Sequence, residues 1–144
     1  MPWRDEEGSI LPLIAGFASL GLVVVLLVTA ATSLYLERKR LLSLADGAAL
    51  VGAESFALED VERMEEGLRP RLTSDAVARD VVAYLREAPI GGLEGVQLER
   101  AATDDGTTAV VSLSSYWRPP VVTLLVPEGI RIDVTAEARS VLLP

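Results

Sequence analysis

The first pattern along the chain is a long apolar stretch from Ile10 to Leu36, in which none of the 27 residues is charged. As a helix rising about 1.5 Å per residue, it would measure ~40 Å, more than the ~30 Å hydrocarbon core of a bilayer. The part from Gly21 to Val28 is apolar on every side, whereas a helix on a soluble core keeps one polar face. The alternative is a buried core helix, but a chain this small could not surround such a rod. The pattern therefore predicts a transmembrane helix over residues 10–36.

A second helical pattern follows the apolar stretch without a helix breaker. Residues 37–40 are Glu-Arg-Lys-Arg, which marks the emergence of the helix into water. Beyond them, small residues recur at steps of four and form a ridge on one helix face, comprising Leu41, Ala45, Ala49, Ala53 and Ala57. The charged neighbours Asp46 and Glu54 favour packing of this face outside the bilayer. We expect residues 37–58 to extend the helix and to pack on a domain formed by residues 59–144.

The pattern of the remaining chain predicts one or two further helices. Apolar residues at helical spacing run from Leu58 to Leu72, although Pro70 should end or kink that helix. A clearer helix follows, with Ser74 or Asp75 as its N-cap and an apolar face built from Val77, Val81, Tyr84, Leu85 and Ala88. Its predicted end is at Pro89–Gly92.

The last third of the chain is typical of strands. A short alternating run at 96–99 leads to a turn over 103–107, and the returning strand covers 109–117. The prolines at 119 and 120 break this strand, which we expect to resume over 121–126. The clearest strand alternates apolar and polar residues from Ile130 to Arg139. The whole pattern predicts an α+β protein whose antiparallel sheet packs its apolar face, including the last strand, on the ridge.

Composition narrows the possible functions. The chain has 13 basic and 21 acidic residues, a net charge of -8, and neither cysteine nor histidine. An acidic surface repels phosphate backbones, so we expect no nucleic-acid partner. Without His, the commonest general base and metal ligand is missing, which disfavours an enzyme. We expect no cofactor, metal site or catalytic residue, and a membrane-anchored hydrolase using carboxylates is the weakest alternative.

Three sequence features could suggest a binding site. The acidic residues between 54 and 66 are not spaced as a calcium loop and fit a solvated helix face better. Asp104-Asp105-Gly106 lies between two strand patterns, where such a sequence usually forms a turn. The aromatic pair Tyr116-Trp117, followed by Arg118, is either a partner surface or part of the core.

The N-terminal third of the chain combines a glycine before the span, an aromatic residue and arginines at its end, and an Ala-Asp-x-Ala-Ala-Leu stretch at 45–50. In this combination it resembles the TadE/TadG-like proteins of the Tad (Flp) pilus system. The residues that carry the resemblance are Gly8, Pro12, Tyr35, Arg38, Arg40, Ala45, Asp46, Ala48 and Ala49. It implies a pilin-like α+β fold and a structural, adhesive role, with the apolar helix contacting other pilus or secretion-system subunits.

One position departs from the cleaved pilins of that system. The cleaved pilins have a Glu five residues after the glycine. In this chain that position is Leu13, and Pro12 precedes it. The departure favours the TadG-like accessory branch over a major pilin. We expect no cleavage after Gly8 and an uncleaved anchor, since residues 1–7 are also more acidic than a secretory signal.

Two arguments place the domain on opposite sides of the membrane. The basic residues at 38–40 outnumber Arg4 on the other side, so the positive-inside rule alone would place the domain in the cytoplasm. The resemblance implies a short cytoplasmic N-terminus over residues 1–9 and an extracytoplasmic domain. We adopt this topology because Glu37 and the continuing helix indicate that the basic cluster has a structural role and is not a topology signal. A membrane-tethered binding or sensor module unrelated to pili is the alternative function.

Overall fold

A computed structural model describes residues 10–56, 71–124 and 126–139, with the side chains of Pro120 and Val121 excepted. The predictions for Gly8, Ala57, the N-terminal residues 1–9 and most of the helix at 58–72 lie outside the described residues. Within them, the chain has a long N-terminal helix, a second helix and an antiparallel sheet, which confirms the predicted α+β class.

Helix α1 extends from Ile10 to Ala53 without interruption, 44 residues long. Pro12 lies in its first turn, where a missing amide N–H costs no helical hydrogen bond. The hydroxyls in its apolar part bond back to carbonyls four residues earlier, at 2.7 Å from Ser19, 2.8 Å from Thr29 and 2.9 Å from Thr32. These bonds satisfy polar groups that would otherwise be costly in an apolar solvent.

Helix α2 covers Ser74–Glu87 and begins one residue earlier than its predicted caps imply. Thr73 is the N-cap, because its backbone is extended and its hydroxyl accepts a hydrogen bond from the Ala76 amide at 3.4 Å. The Ser74 hydroxyl instead bonds to the backbone of Thr103, at 3.2 Å. The helix ends before Pro89, as predicted.

Among the described residues, three strands form one antiparallel sheet in the order β1-β2-β3. Strand β1 covers Gln97–Thr103, β2 covers Thr108–Trp117 and β3 covers Ile130–Arg139. The predicted hairpin turn joins β1 to β2, and β2 pairs with β3 over its whole length, from Thr108 opposite Arg139 to Trp117 opposite Ile130.

The strand predicted over 121–126 is wrong. A single helical turn, α3, occupies Pro120–Thr123, and the amides of Val122 and Thr123 both donate to the Pro119 carbonyl at 3.0 Å. Two prolines fix the backbone angle that starts a helical turn. The described residues 118–124 and 126–129 lie in the connection between β2 and β3, outside the strands.

The core lies between the inner face of the sheet, α2 and the C-terminal half of α1. Alternation along β2 sends Ala109, Val111, Leu113 and Trp117 inward, and β3 contributes Ile132, Val134 and Ala136. Val77 and Val81 close the core from α2. Helix α1 therefore has an exposed N-terminal half and contributes buried residues to the core from its C-terminal half.

Candidate membrane and partner surfaces

The N-terminal half of α1 is an exposed apolar surface. Within the described residues, α1 is the helix that is long and apolar enough to cross a membrane, with a mean hydropathy of 2.6 over 18 residues. None of that window is buried inside the protein, unlike the core helix of a soluble protein. Phe17, Leu20 and Leu27 are each at least 60% exposed. An apolar rod without a protein cover requires lipid or other apolar helices around it.

The described members of the predicted ridge are buried. Leu41 and Ala45 are fully inaccessible, and Ala49 and Ala53 are at most 4% exposed. This part of α1 contacts β2, β3 and α2. Small side chains here allow the strands and the second helix to approach the α1 backbone closely.

A second buried row was missed by the sequence reasoning. It consists of Leu44, Ala48 and Gly52 and lies beside the ridge. A Cβ added at Gly52 would lie 3.1 Å from Val77 Cγ1 and 3.2 Å from Ala109 Cβ, so this glycine allows α1, α2 and β2 to meet closely. Counting steps of three as well as four would have revealed this row.

The family motif divides between two sides of α1. Ala45, Ala48 and Ala49 are buried, whereas Asp46 is exposed. Tyr35 is 65% exposed, and Arg38 and Arg40 also face outward. The small residues of the motif therefore form part of the domain core. Tyr35, Arg38 and Arg40 lie near the end of the apolar segment, and Asp46 lies farther along α1, on its exposed side.

The predicted partner surface at residues 116–118 is not one continuous exposed patch. Trp117 is 5% exposed, and its indole Nε1 donates to Ser33 Oγ of α1 at 3.1 Å. Tyr116 is half-buried, with the Arg118 guanidinium 5.7 Å from its ring centroid. Arg118 is exposed and lies 3.5 Å from Glu94 Oε2. The structure therefore separates these neighbours into an internal contact with α1 and a surface pair.

Charged side chains cluster on the outer face of the sheet. Ser114 donates to Glu99 at 2.6 Å, and Arg131 bridges Glu99 at 2.9 Å and Asp133 at 3.0 Å. The hydrogen bond to Asp133, with the charges of Asp133 and Glu99, raises the pKa of Arg131. The charged groups are exposed and screened by water, so their ion pairs contribute little to stability, whereas Ser114 is buried.

The turn between β1 and β2 is organised by one carboxylate. Asp105 accepts hydrogen bonds from the amides of Thr107 at 2.8 Å and Thr108 at 2.6 Å, which lower the pKa of Asp105 well below its usual range. This network accounts for the Asp-Gly sequence as a turn. Among the described residues, no three Asp or Glu side chains are grouped as a metal site.

Comparison with known proteins gives one match. Residues 8–55 match the Tad family model of Flp pilus-assembly TadE/G-like proteins, which confirms the resemblance over the N-terminal third of the chain. No curated protein and no solved structure gives a significant match. The matched residues include the whole of α1, both its exposed apolar half and the buried residues that it contributes to the domain core.

Proposed function

We propose that this protein is a membrane-anchored accessory or minor-pilin-like subunit of a Tad/Flp-type pilus or a related secretion system, with a structural and adhesive role. The observation that carries the proposal is the coincidence of the family match with α1. The matched segment is the pilus-associated part of the chain, and it is also the helix that joins an apolar rod to a folded domain. Its partners are the membrane and other pilus or secretion-system subunits.

In this proposal the exposed half of α1 serves two contacts. Residues 10–36 cross the membrane and can bundle with apolar helices of partner subunits. Gly16 and Gly21 favour such bundling, because a Cβ at either position would meet nothing within 4 Å in this chain, so a partner backbone can approach there. Packing of this kind relies on van der Waals contact and needs no catalytic group.

The role of the other half of α1 is to fix the domain relative to the span. Leu41 and Ala45 belong to the domain core, and Trp117 bonds to Ser33 within the apolar stretch. The anchor is therefore joined to the domain by packing and a hydrogen bond instead of a loose linker. A rigid junction suits a subunit that holds a surface at a set position outside the membrane.

Two finer parts of the proposal rest on the family resemblance. The domain faces the extracytoplasmic side, and the chain belongs to the accessory branch because Leu13 replaces the glutamate of the cleaved pilins. Residues 1–9 then form a short cytoplasmic N-terminus.

Site-specific photocrosslinking in cells that assemble a Tad pilus tests the function. A photoreactive residue at Leu27, which is 65% exposed on α1, should give adducts with pilus or secretion-system subunits. Ala83 on the exposed surface of α2 is a matched control, and it should not give the same adducts. Adducts at Leu27 with unrelated membrane proteins would instead favour a tethered sensor module. Recovery of the protein in the soluble fraction without detergent would contradict membrane anchoring.

A further inference from the structure

The connection between β2 and β3 contains a second uncharged apolar segment. Residues 119–127 read Pro-Pro-Val-Val-Thr-Leu-Leu-Val-Pro, with Arg118 before them and Glu128 after them. Leu124 is 83% exposed, and Val126 is 41% exposed. Ile130, the first residue of β3, is 42% exposed. Val122 packs against the core, so the domain exposes the later apolar side chains of this loop, Leu124 above all.

The position of this loop along α1 follows from two contacts. Strand β2 begins beside Gly52, where Ala109 lies in close contact, and ends at Trp117, whose indole bonds to Ser33. The helix rises about 28 Å from Gly52 to Ser33, and β2 covers about 26 Å from Ala109 to Trp117. The two elements therefore run side by side in opposite directions. The loop after Trp117 therefore lies at the end of the domain nearest the apolar half of α1, and its helical turn α3 contacts α1.

This level is the edge of the membrane-spanning stretch. Ser33 precedes Leu36, the last residue before the charged segment, by three residues, or about 5 Å of helix. Interfacial apolar groups bury about 5–10 Å into the boundary between head groups and acyl chains, a depth comparable with this offset. Tyr35 is 65% exposed at the same level, as interfacial aromatic residues commonly are.

The chemistry of the loop suits this boundary. Three of its nine residues are prolines, which have no amide N–H to desolvate. The amides of Val122 and Thr123 donate to Pro119, and the Val126 amide donates to Val122 at 2.7 Å. Irregular backbone is not tolerated in the hydrocarbon centre but can lie at the interface, where the remaining polar groups reach water.

We infer that the loop between β2 and β3 is a second membrane contact, which inserts Leu124 and Val126 into the head-group boundary of the lipid bilayer beside α1. This inference rests on the proposed membrane anchoring by residues 10–36. The span and the loop together hold the domain in one orientation on the membrane surface, with the β1–β2 turn pointing away from it.

Spin-label accessibility on the full chain in phosphatidylethanolamine–phosphatidylglycerol vesicles tests the inference. The chain has no cysteine, so Leu124→Cys, Leu27→Cys and Ala83→Cys each give a single labelling site. Leu27 reports on the span, and Ala83, on the exposed surface of α2, reports on the domain away from the loop. The label at 124 should collide more with oxygen than with a water-soluble nickel complex, as at 27, and the label at 83 should show the reverse order.

The outcomes are distinct. If the label at 124 collides more with the nickel complex while the label at 27 collides more with oxygen, the loop contact is overturned and the anchor stays intact. Protection of 124 from both reagents would show that protein, such as a second copy, covers the loop, which also overturns it. Nickel dominating at 27 would remove the anchor itself and, with it, the basis of the loop contact. Because Leu124 is so exposed, its replacement leaves the core unchanged, and the melting temperature of the labelled chain should match that of the parent.

Discussion

The two halves of α1 have the same secondary structure and opposite surroundings. Leu27 in the first half is 65% exposed, whereas Leu41 in the second half is fully buried. Helix propensity does not distinguish them, since the same residue type and backbone occur at both positions. The difference arises from what packs around the helix. The second half contacts the sheet and α2, whereas residues 10–29 are exposed throughout and the domain reaches the first half only near its end, at Ser33. One continuous helix can therefore be a core element at one end and a membrane element at the other.

The largest expected effect comes from making the same substitution in both halves. Leu41→Ala should destabilise the domain by about 2–5 kcal/mol, because it removes a fully buried side chain and leaves a cavity. Leu27→Ala should leave the unfolding free energy of the domain unchanged, since Leu27 lies outside the core. Thermal unfolding of the full chain in detergent micelles, followed by near-UV circular dichroism, measures both. Equal melting temperatures for the two variants would contradict the division of α1.

Overpacking the ridge should produce the next largest effect. Ala49 is 1% exposed, so Ala49→Leu has no space for the added atoms and should cost ~1–3 kcal/mol. A change at exposed Glu54, such as Glu54→Gln, should stay within about 0.5 kcal/mol. Chemical denaturation of the two variants provides the comparison. If both unfold like the parent, the ridge does not pack in the domain, and its small residues are better explained by contacts with another protein.

Hydroxyl groups sharpen the comparison between the apolar half of α1 and the domain core, which includes β2. In the apolar half, Ser19 bonds to the helix backbone, whereas Ser115 Oγ, buried in the domain core, has no hydrogen-bond partner among the described residues. Ser115→Ala should therefore stabilise the domain by up to ~1 kcal/mol, because an unsatisfied buried hydroxyl is removed. Ser114→Ala should destabilise it by a similar amount of about 1 kcal/mol, since Ser114 donates to Glu99. Opposite shifts in the denaturation midpoints of these adjacent variants are the expected result.

The smallest expected effect is the dependence of domain stability on pH through Asp105. Amide hydrogen bonds lower the pKa of Asp105 in the folded protein, so its contribution to stability is complete above the usual carboxyl pKa of about 4 and is lost as the pH falls toward the depressed folded value. Asp105→Asn should accordingly be less stable than the parent at neutral pH, with the gap narrowing below about pH 4. Denaturation at several pH values measures the gap. Sedimentation with membranes should not change, because Asp105 lies in the turn far from the span. A gap that is constant with pH would show that the charge of Asp105 contributes nothing.

Local patterns made much of this fold predictable. The uncharged stretch, the alternation along β3 and the turn at Asp105 each depend on residues close in sequence. The prediction of a strand over 121–126 was wrong because the backbone angles fixed by Pro119 and Pro120 start a helical turn, although the valines that follow favour a strand.

Contacts between distant residues were not predictable. The hydrogen bond from Trp117 to Ser33 joins residues 84 positions apart, and no periodicity reports such a pair. The contact of Gly52 with Val77 and Ala109 likewise arises only when three elements pack together. For the candidate surfaces, the sequence therefore predicted which segment is apolar, but it did not predict how close the β2–β3 loop lies to it.

The central claim, that one helix passes from lipid into a protein core, is tested most directly by cysteine accessibility in intact membranes. Leu27→Cys and Leu50→Cys occupy positions that are 65% and 60% exposed in the protein alone, so only the surrounding solvent distinguishes them. A membrane-impermeant maleimide should label Leu50→Cys and leave Leu27→Cys unlabelled in open membrane sheets, whereas both should react after solubilisation in denaturant. Equal labelling of the two positions in the membrane would contradict the account.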